Sequence, residues 1–137
     1  MAETIRKVDY FYIETVNKPG VGLGVLAALR DAGVNLLAFT GFPHGQKAQI
    51  DFMPEDTAAF KAAARKAGFK LSPKKTGFMI QGEDQIGVLV GILGKLAAAR
   101  INVTALDAVS AGEGRYGAIF WVKSSDVRKA AKALGVS

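Results

Sequence analysis

Apolar and polar positions along the chain alternate between two periods, and the switches mark the elements. Val8 to Thr15 is dense in β-branched and aromatic residues and predicts a strand. Asn17 then occupies a helix N-cap position, with Pro19 near the first turn. From Gly20 to Ala32 the apolar residues Val21, Val25, Leu26, Leu29 and Ala32 recur at helical spacing, and Gly33 is placed to close the helix. Val34 to Phe42 predicts a second strand, Pro43-His44-Gly45 a turn, and Lys47 to Met53 a third strand. A second helix is expected from Pro54 or Glu55 to Ala67, capped by Gly68, with a short fourth strand from Phe69 to Ser72.

The same pattern then repeats. Asn17, Gly20, Val21, Gly24, Leu26, Leu29, Ala32, Val34, Asn35 and Ala38 each have a like residue 67 positions later, from Asp84 and Gly87 to Asn102 and Ala105. Gly45 matches Gly112, and Ala63, Ala64 and Gly68 match Ala130, Ala131 and Gly135 at that offset. One offset held over so long a stretch points to duplication. The second copy predicts a strand from Thr76 to Gln81, a helix from Ile86 to Ala99, and a hairpin of Ile101–Ser110 with Arg115–Val122. A last helix runs to Leu134, capped by Ser124. No fourth strand is visible for this copy.

The order β-α-β-β-α-β is a split βαβ unit. The expected fold class is therefore α+β: two tandem ferredoxin-like units, residues 1–73 and 74–137, each an antiparallel sheet with helices on one face. The strands are apolar on both faces: Tyr10 and Tyr12 oppose Phe11 and Ile13, and Ile119 and Trp121 oppose Tyr116, Ala118, Phe120 and Val122. The face without helices should meet another sheet, within the chain or in a second subunit.

Composition narrows the function. The 137 residues are half apolar, and two units of about 65 residues have marginal cores that need support from each other or from another chain. With no cysteine, disulfides, thiolate metal sites and cysteine nucleophiles are excluded. The first residues lack an apolar signal core, and Pro19 to Leu29 is too short to span a bilayer, so a soluble cytoplasmic protein without membrane contact is expected. The net charge of +6 gathers in Lys61–Lys75 and Lys123–Lys132. Without interleaved aromatic residues, these runs read as solvated helix faces rather than a nucleic-acid surface.

The segment Asn17-Lys-Pro-Gly20, followed by Leu26, Leu29 and Gly33-Val34-Asn35, resembles the signature of the ACT domain family. Asp84-Gln-Ile-Gly87 through Arg100-Ile101-Asn102 looks like a drifted copy, lacking the proline and the glycine before the second strand. The resemblance covers nearly the whole chain. It implies a regulatory module that binds an amino acid or similar small molecule and has no catalytic activity. It also implies domains paired through their second strands, a homodimer, and a metabolic enzyme or regulator as partner. Two copies leave no room for a catalytic domain, so the free-standing tandem type is the expected match.

The candidate ligand contacts are Asn17, Lys18, Pro19, Gly20, Val21 and Gly22 in the first loop, with Asn35 and Leu36 at the second strand. The corresponding set is Asp84, Gln85, Ile86 and Gly87 with Asn102 and Val103. A free amino acid needs donors for its carboxylate and acceptors for its ammonium. The helix start near Gly20 offers N–H groups, the glycines let a ligand approach the backbone, and Asn17 or Asp84 can accept from an ammonium. A purely structural role remains open for the same residues: Asn17 and Asp84 as helix caps, Gly20 and Gly87 as tight-turn residues, Asn35 and Asn102 bonding turn backbone.

Other chemistries lack their residues. Gly20-Val-Gly22-Leu-Gly24 has Val25 where a dinucleotide fingerprint requires glycine, and no phosphate-binding loop is present. His44 is the single histidine and reads as a turn residue, so no metal or cofactor is expected. An acyl-phosphate hydrolase on this scaffold would want an arginine in the first loop, where Lys18 and Gln85 stand. No catalytic residue is assigned. A protein-interaction module whose ligand site has decayed is the alternative reading, encouraged by Ile86 in place of the proline.

Overall fold

A computed structural model describes residues 3–137. Six strands and four α-helices form among them: β1 (Thr4–Val16), α1 (Val21–Asp31), β2 (Leu36–His44), β3 (Lys47–Pro54), α2 (Thr57–Ala67), β4 (Lys75–Glu83), α3 (Val90–Ala98), β5 (Ala105–Gly112), β6 (Arg115–Trp121) and α4 (Val127–Leu134). The strands are antiparallel in the hydrogen-bonded order β2-β3-β1-β4-β6-β5. The fold is α+β, an antiparallel sheet with helices packed on it.

Two compact units share the chain. One is Asp9–Lys75; the other joins the segment ending at Val8 to Thr76–Ser137. The expected division was residues 1–73 and 74–137; the first half of β1 packs with Thr76–Ser137. That half-strand is the fourth strand the second copy lacked. β1 hydrogen-bonds to β4, and Glu3, just ahead of it, accepts from the Tyr116 hydroxyl on β6. A Cβ at Gly82 would sit 3.0 Å from Glu3 Cγ and 3.3 Å from its Cα, so glycine there lets the two backbones close up.

In the unit Asp9–Lys75, β1 pairs with β3 (Phe11 opposite Phe52) and β2 pairs with β3 (Phe39 opposite Phe52). Alternation sends Phe11, Ile13, Ile50 and Phe52 toward Val25 and Leu29 of α1 and Phe60 of α2. The Phe60 ring lies 5.4 Å from Phe11 and 5.2 Å from Phe52, centroid to centroid. Asp56 opens α2 by accepting from the Ala59 N–H at 3.0 Å. The expected strand Phe69–Ser72 is not regular β structure. Ser72 N–H reaches Tyr12 O at 2.9 Å and Tyr12 N–H reaches Ser72 Oγ at 3.0 Å, but Pro73 follows without a donor.

The other unit repeats the plan, with Phe78, Ile80, Ala118 and Phe120 packed against Ile92 and Leu96 of α3 and Ala130 and Leu134 of α4. Phe78 and Phe120 stack at 4.9 Å. Ser124–Asp126 is a 3-10 turn leading into α4, and no side chain caps that helix, contrary to the role expected for Ser124. Both copies close their first helix alike. Gly33 (φ +73) bonds Arg30 O while Val34 N–H bonds Leu29 O; Arg100 (φ +60) bonds Ala97 O while Ile101 N–H bonds Leu96 O. Arg100 thus keeps a left-handed turn that its sequence had given up glycine for.

The face opposite the helices is buried too. Tyr10, Asp51 and Met53 in one unit, and Val8, Met79, Ile119 and Trp121 in the other, are all under 9% exposed. Gln49 Nε2 donates to Asp51 Oδ1 at 3.1 Å. Burial, reinforced by the Asp51 carboxylate, pushes the Tyr10 hydroxyl up to about 12.

Candidate functional site

The loop from β1 to α1 forms without a side-chain cap. β1 ends at Val16, Asn17 and Lys18 are irregular, and Pro19-Gly20 turns the chain into α1. Gly20 is the N-cap, at φ +92, a conformation that favours glycine, and no side chain bonds the first N–H groups. Val21 N–H turns back to Lys18 O at 3.3 Å and Gly24 N–H to Gly20 O at 3.0 Å. Asn17 does not cap the helix, which removes the structural role the sequence left open for it. A Cβ at Gly22 would meet nothing within 4 Å, so packing within the chain does not demand glycine there.

The space beside Gly22 is a cleft of about 290 Å³. Thr15, Asn17 and Lys18 form its polar rim; Val21, Phe39, Pro43, Ala48 and Ile50 are its apolar walls, while alternation turns the side chains of Val16 and Phe42 to the other face of their strands. Lys18 is the single charged residue among those lining it. α1 and β1 supply one side and β2, the edge strand of this sheet, the other. Asn17, Lys18, Val21 and Gly22 of the expected set therefore converge on one concavity. Pro19 and Gly20 shape the turn that bounds it.

Asn35 and Leu36 are elsewhere in the same unit. They line a second hollow, of about 350 Å³, at the far end of α1 with Leu26, Arg30 and Gly33. Asn35 Nδ2 lies 3.4 Å from Glu55 Oε2, and Glu55 N–H bonds Asn35 O at 3.1 Å. Leu36 packs against the core.

The second loop is built differently. The offset of 67 would start α3 at position 88, yet the helix begins at Val90 after a turn over residues 86–89. Val88 N–H is taken by Gln85 O at 3.1 Å and Val90 N–H by Gly87 O at 2.9 Å. Asp84 does not cap α3; its own N–H bonds Gly114 O at 2.8 Å. Ile86, in the place of Pro19, is fully exposed. Glu83 and Asp84 make this mouth acidic where Lys18 makes the first basic. Asn102 is exposed, while Val103 packs against the core and is explained by that packing.

Thr15, Phe39, Gly41, Phe42 and Pro43 line the first cleft and were not singled out from sequence. Phe39 and Phe42, 38% and 39% exposed, carried the one available signal, as large aromatics on a strand apolar on both faces. His44 ends β2 rather than sitting in the turn, and its Nδ1 lies 3.2 Å from Glu14 Oε2, a companion that local spacing did not reveal. Among the described residues no group of three or more His, Asp or Glu stands close enough to hold a metal ion. None of their helices is long and apolar enough to cross a membrane.

The fold is shared with regulatory subunits of aspartate kinase. The Thermus thermophilus subunit, in a ligand-free form, superposes with a TM-score of 0.64 at 17% identity, covering 98% of this chain and 96% of that one. The Thermus flavus subunit gives 0.56 at 18% identity over 98% and 94%. A protein from Bacteroides thetaiotaomicron superposes with a TM-score of 0.81 at 17% identity, over 96% of this chain and 88% of that one. At these identities the likeness is one of fold. No protein-family model matches the chain, and no curated protein does.

Proposed function

We propose that this chain is a non-catalytic regulatory module that senses a free amino acid in the cytoplasm. The observation that carries this reading is the cleft at the first strand-to-helix loop, with its uncapped glycine helix start. N–H groups at that start and the Lys18 ammonium suit a carboxylate, and Asn17 Oδ1 suits an ammonium. The solved regulatory subunits with the same fold support a role of this kind.

In this reading the module works as a homodimer. β2 is an edge strand, and antiparallel pairing with β2 of a second copy sets the start of one strand beside the end of the other. Asn35 and Leu36 of the second copy then stand beside Pro43 at the cleft, which reunites the residues that one chain keeps apart. Asp84, Gln85, Ile86 and Gly87, with Asn102, form the corresponding second mouth. A metabolic enzyme or another regulator receives the signal.

The test is a thermal-shift panel of the common amino acids on the wild-type chain and on Gly22→Leu. A ligand at a hundred times its Kd stabilises the folded state by about 2.7 kcal/mol. Leucine is a good helix former and fills the cleft, so the variant keeps or gains stability and loses the ligand response. A panel without any shift refutes the sensing role; an unchanged response in Gly22→Leu moves it away from this cleft.

One observation favours a second reading, an interaction module without a ligand. Leu23, Leu26 and Phe42 are exposed, and so are Val90, Leu93 and Val109, their counterparts 67 positions on. Both copies present the same apolar positions, as a surface kept for partners would. That reading predicts a stable dimer with no response to any amino acid.

A further inference from the structure

The first cleft differs from its duplicate in what it can select, and its lining names a ligand class. Of its walls, Val21, Phe39, Pro43, Ala48 and Ile50 present hydrocarbon, and no carboxylate stands among the lining residues. The volume of about 290 Å³ lies at the small end of ligand clefts, in keeping with a free amino acid. Lys18 and the helix start account for the ligand's carboxylate, and Asn17 with loop carbonyls for its ammonium. Nothing charged then remains to meet a charged side chain. A lysine or arginine side chain would enter with no counter-charge, and an aspartate or glutamate would lose its hydration against these walls.

We infer that the first mouth selects an α-amino acid with an uncharged, apolar side chain, which Val21, Phe39 and Ile50 border. The inference rests on the sensing role proposed above. It does not extend to the second mouth, where Glu83 and Asp84 replace Val16 and Asn17, Gln85 replaces Lys18, and the helix starts two residues late. There Arg115 stands against Glu83, and the position of Lys18 carries no charge.

The test is calorimetry on the full chain with leucine, isoleucine, valine, methionine and phenylalanine against aspartate, glutamate, lysine and arginine. Binding confined to the first group is the expected result. Thr15→Asp places a carboxylate at the rim of the cleft. Thr15 is partly exposed near the end of β1, so the charge stays solvated and the ligand-free melting temperature holds. The Kd for the apolar ligand then rises about tenfold or more, the cost of at least about 1.4 kcal/mol from meeting an unpaired carboxylate. Lys18→Gln raises it by about ten- to a hundredfold through the lost charged hydrogen bond. Binding of a charged amino acid in preference to the apolar ones overturns the class and leaves the sensing role standing. Apolar binding unchanged in Thr15→Asp overturns the placement, and silence across the whole panel removes the sensing role itself.

Discussion

Replacing Arg100 by glycine isolates one backbone torsion in an otherwise matched pair of turns. Gly33 and Arg100 close their helices with the same hydrogen bonds and similar left-handed φ, +73° and +60°. A residue with a Cβ in that conformation costs about 1–2 kcal/mol. Glycine relieves this strain but adds about 0.4–1 kcal/mol of freedom to the unfolded chain, so Arg100→Gly gains roughly 0.5–1 kcal/mol. The reciprocal change, Gly33→Ala, brings no collision, because a Cβ there meets nothing within 4 Å. Its cost is torsional alone, about 1 kcal/mol or slightly more. Urea unfolding followed by circular dichroism reads both changes as shifts of the midpoint at constant slope. A lower midpoint for Arg100→Gly, or an unshifted one for Gly33→Ala, would refute the assignment of strain to this turn.

Two further outcomes follow from the packing. Gly82→Ala drives a methyl to 3.0 Å from Glu3 Cγ and 3.3 Å from the Tyr116 ring, and should cost about 1–3 kcal/mol, with faster hydrogen exchange in residues 4–8 than elsewhere in the chain. At high pH the sign follows from two tyrosines. Burial raises Tyr10 from 10.0 to about 12, and burial with the Glu3 hydrogen bond raises Tyr116 as well. A raised hydroxyl means the folded state holds its proton more tightly than the unfolded chain does. The Tyr10 contribution, of order 2–3 kcal/mol, is therefore complete below pH 10 and is lost between about pH 10 and pH 12. Unfolding midpoints measured from pH 8 to 12 should fall only above pH 10, and Tyr10→Phe should flatten that fall.

Much of the fold was legible because the signals were local. The leucine stripe of α1 and the Gly33 and Gly68 closures each declare themselves within a few residues, and the offset of 67 doubles the statement. The fourth strand of the second copy was not legible. Thr4–Lys7 carries Arg6 and Lys7, and its partner strand lies some seventy residues away, so nothing nearby marks it as paired. The site was half legible for a similar reason. Asn17, Lys18 and Gly22 announce a loop, while Phe42 and Pro43 join it only through the β2–β3–β1 pairing. Asn17 and Asp84 look like caps in sequence, but Gly20 and the turn over residues 86–89 reset where the helices start.

The segment ending at Val8 is made before Asp9–Lys75, yet its sheet is finished only by β4 and β6. Asp9–Lys75 can fold as soon as it is made, while the opening strand waits for Thr76 onward, several seconds more at roughly 5–20 residues per second. For that interval it is an unpaired β edge, the kind of surface on which neighbouring nascent chains join. Cutting the gene at the duplication boundary would leave one product with a surplus strand and the other with an open edge. Reordering the chain so that the segment ending at Val8 follows Thr76–Ser137 would bring the late unit together in one uninterrupted stretch.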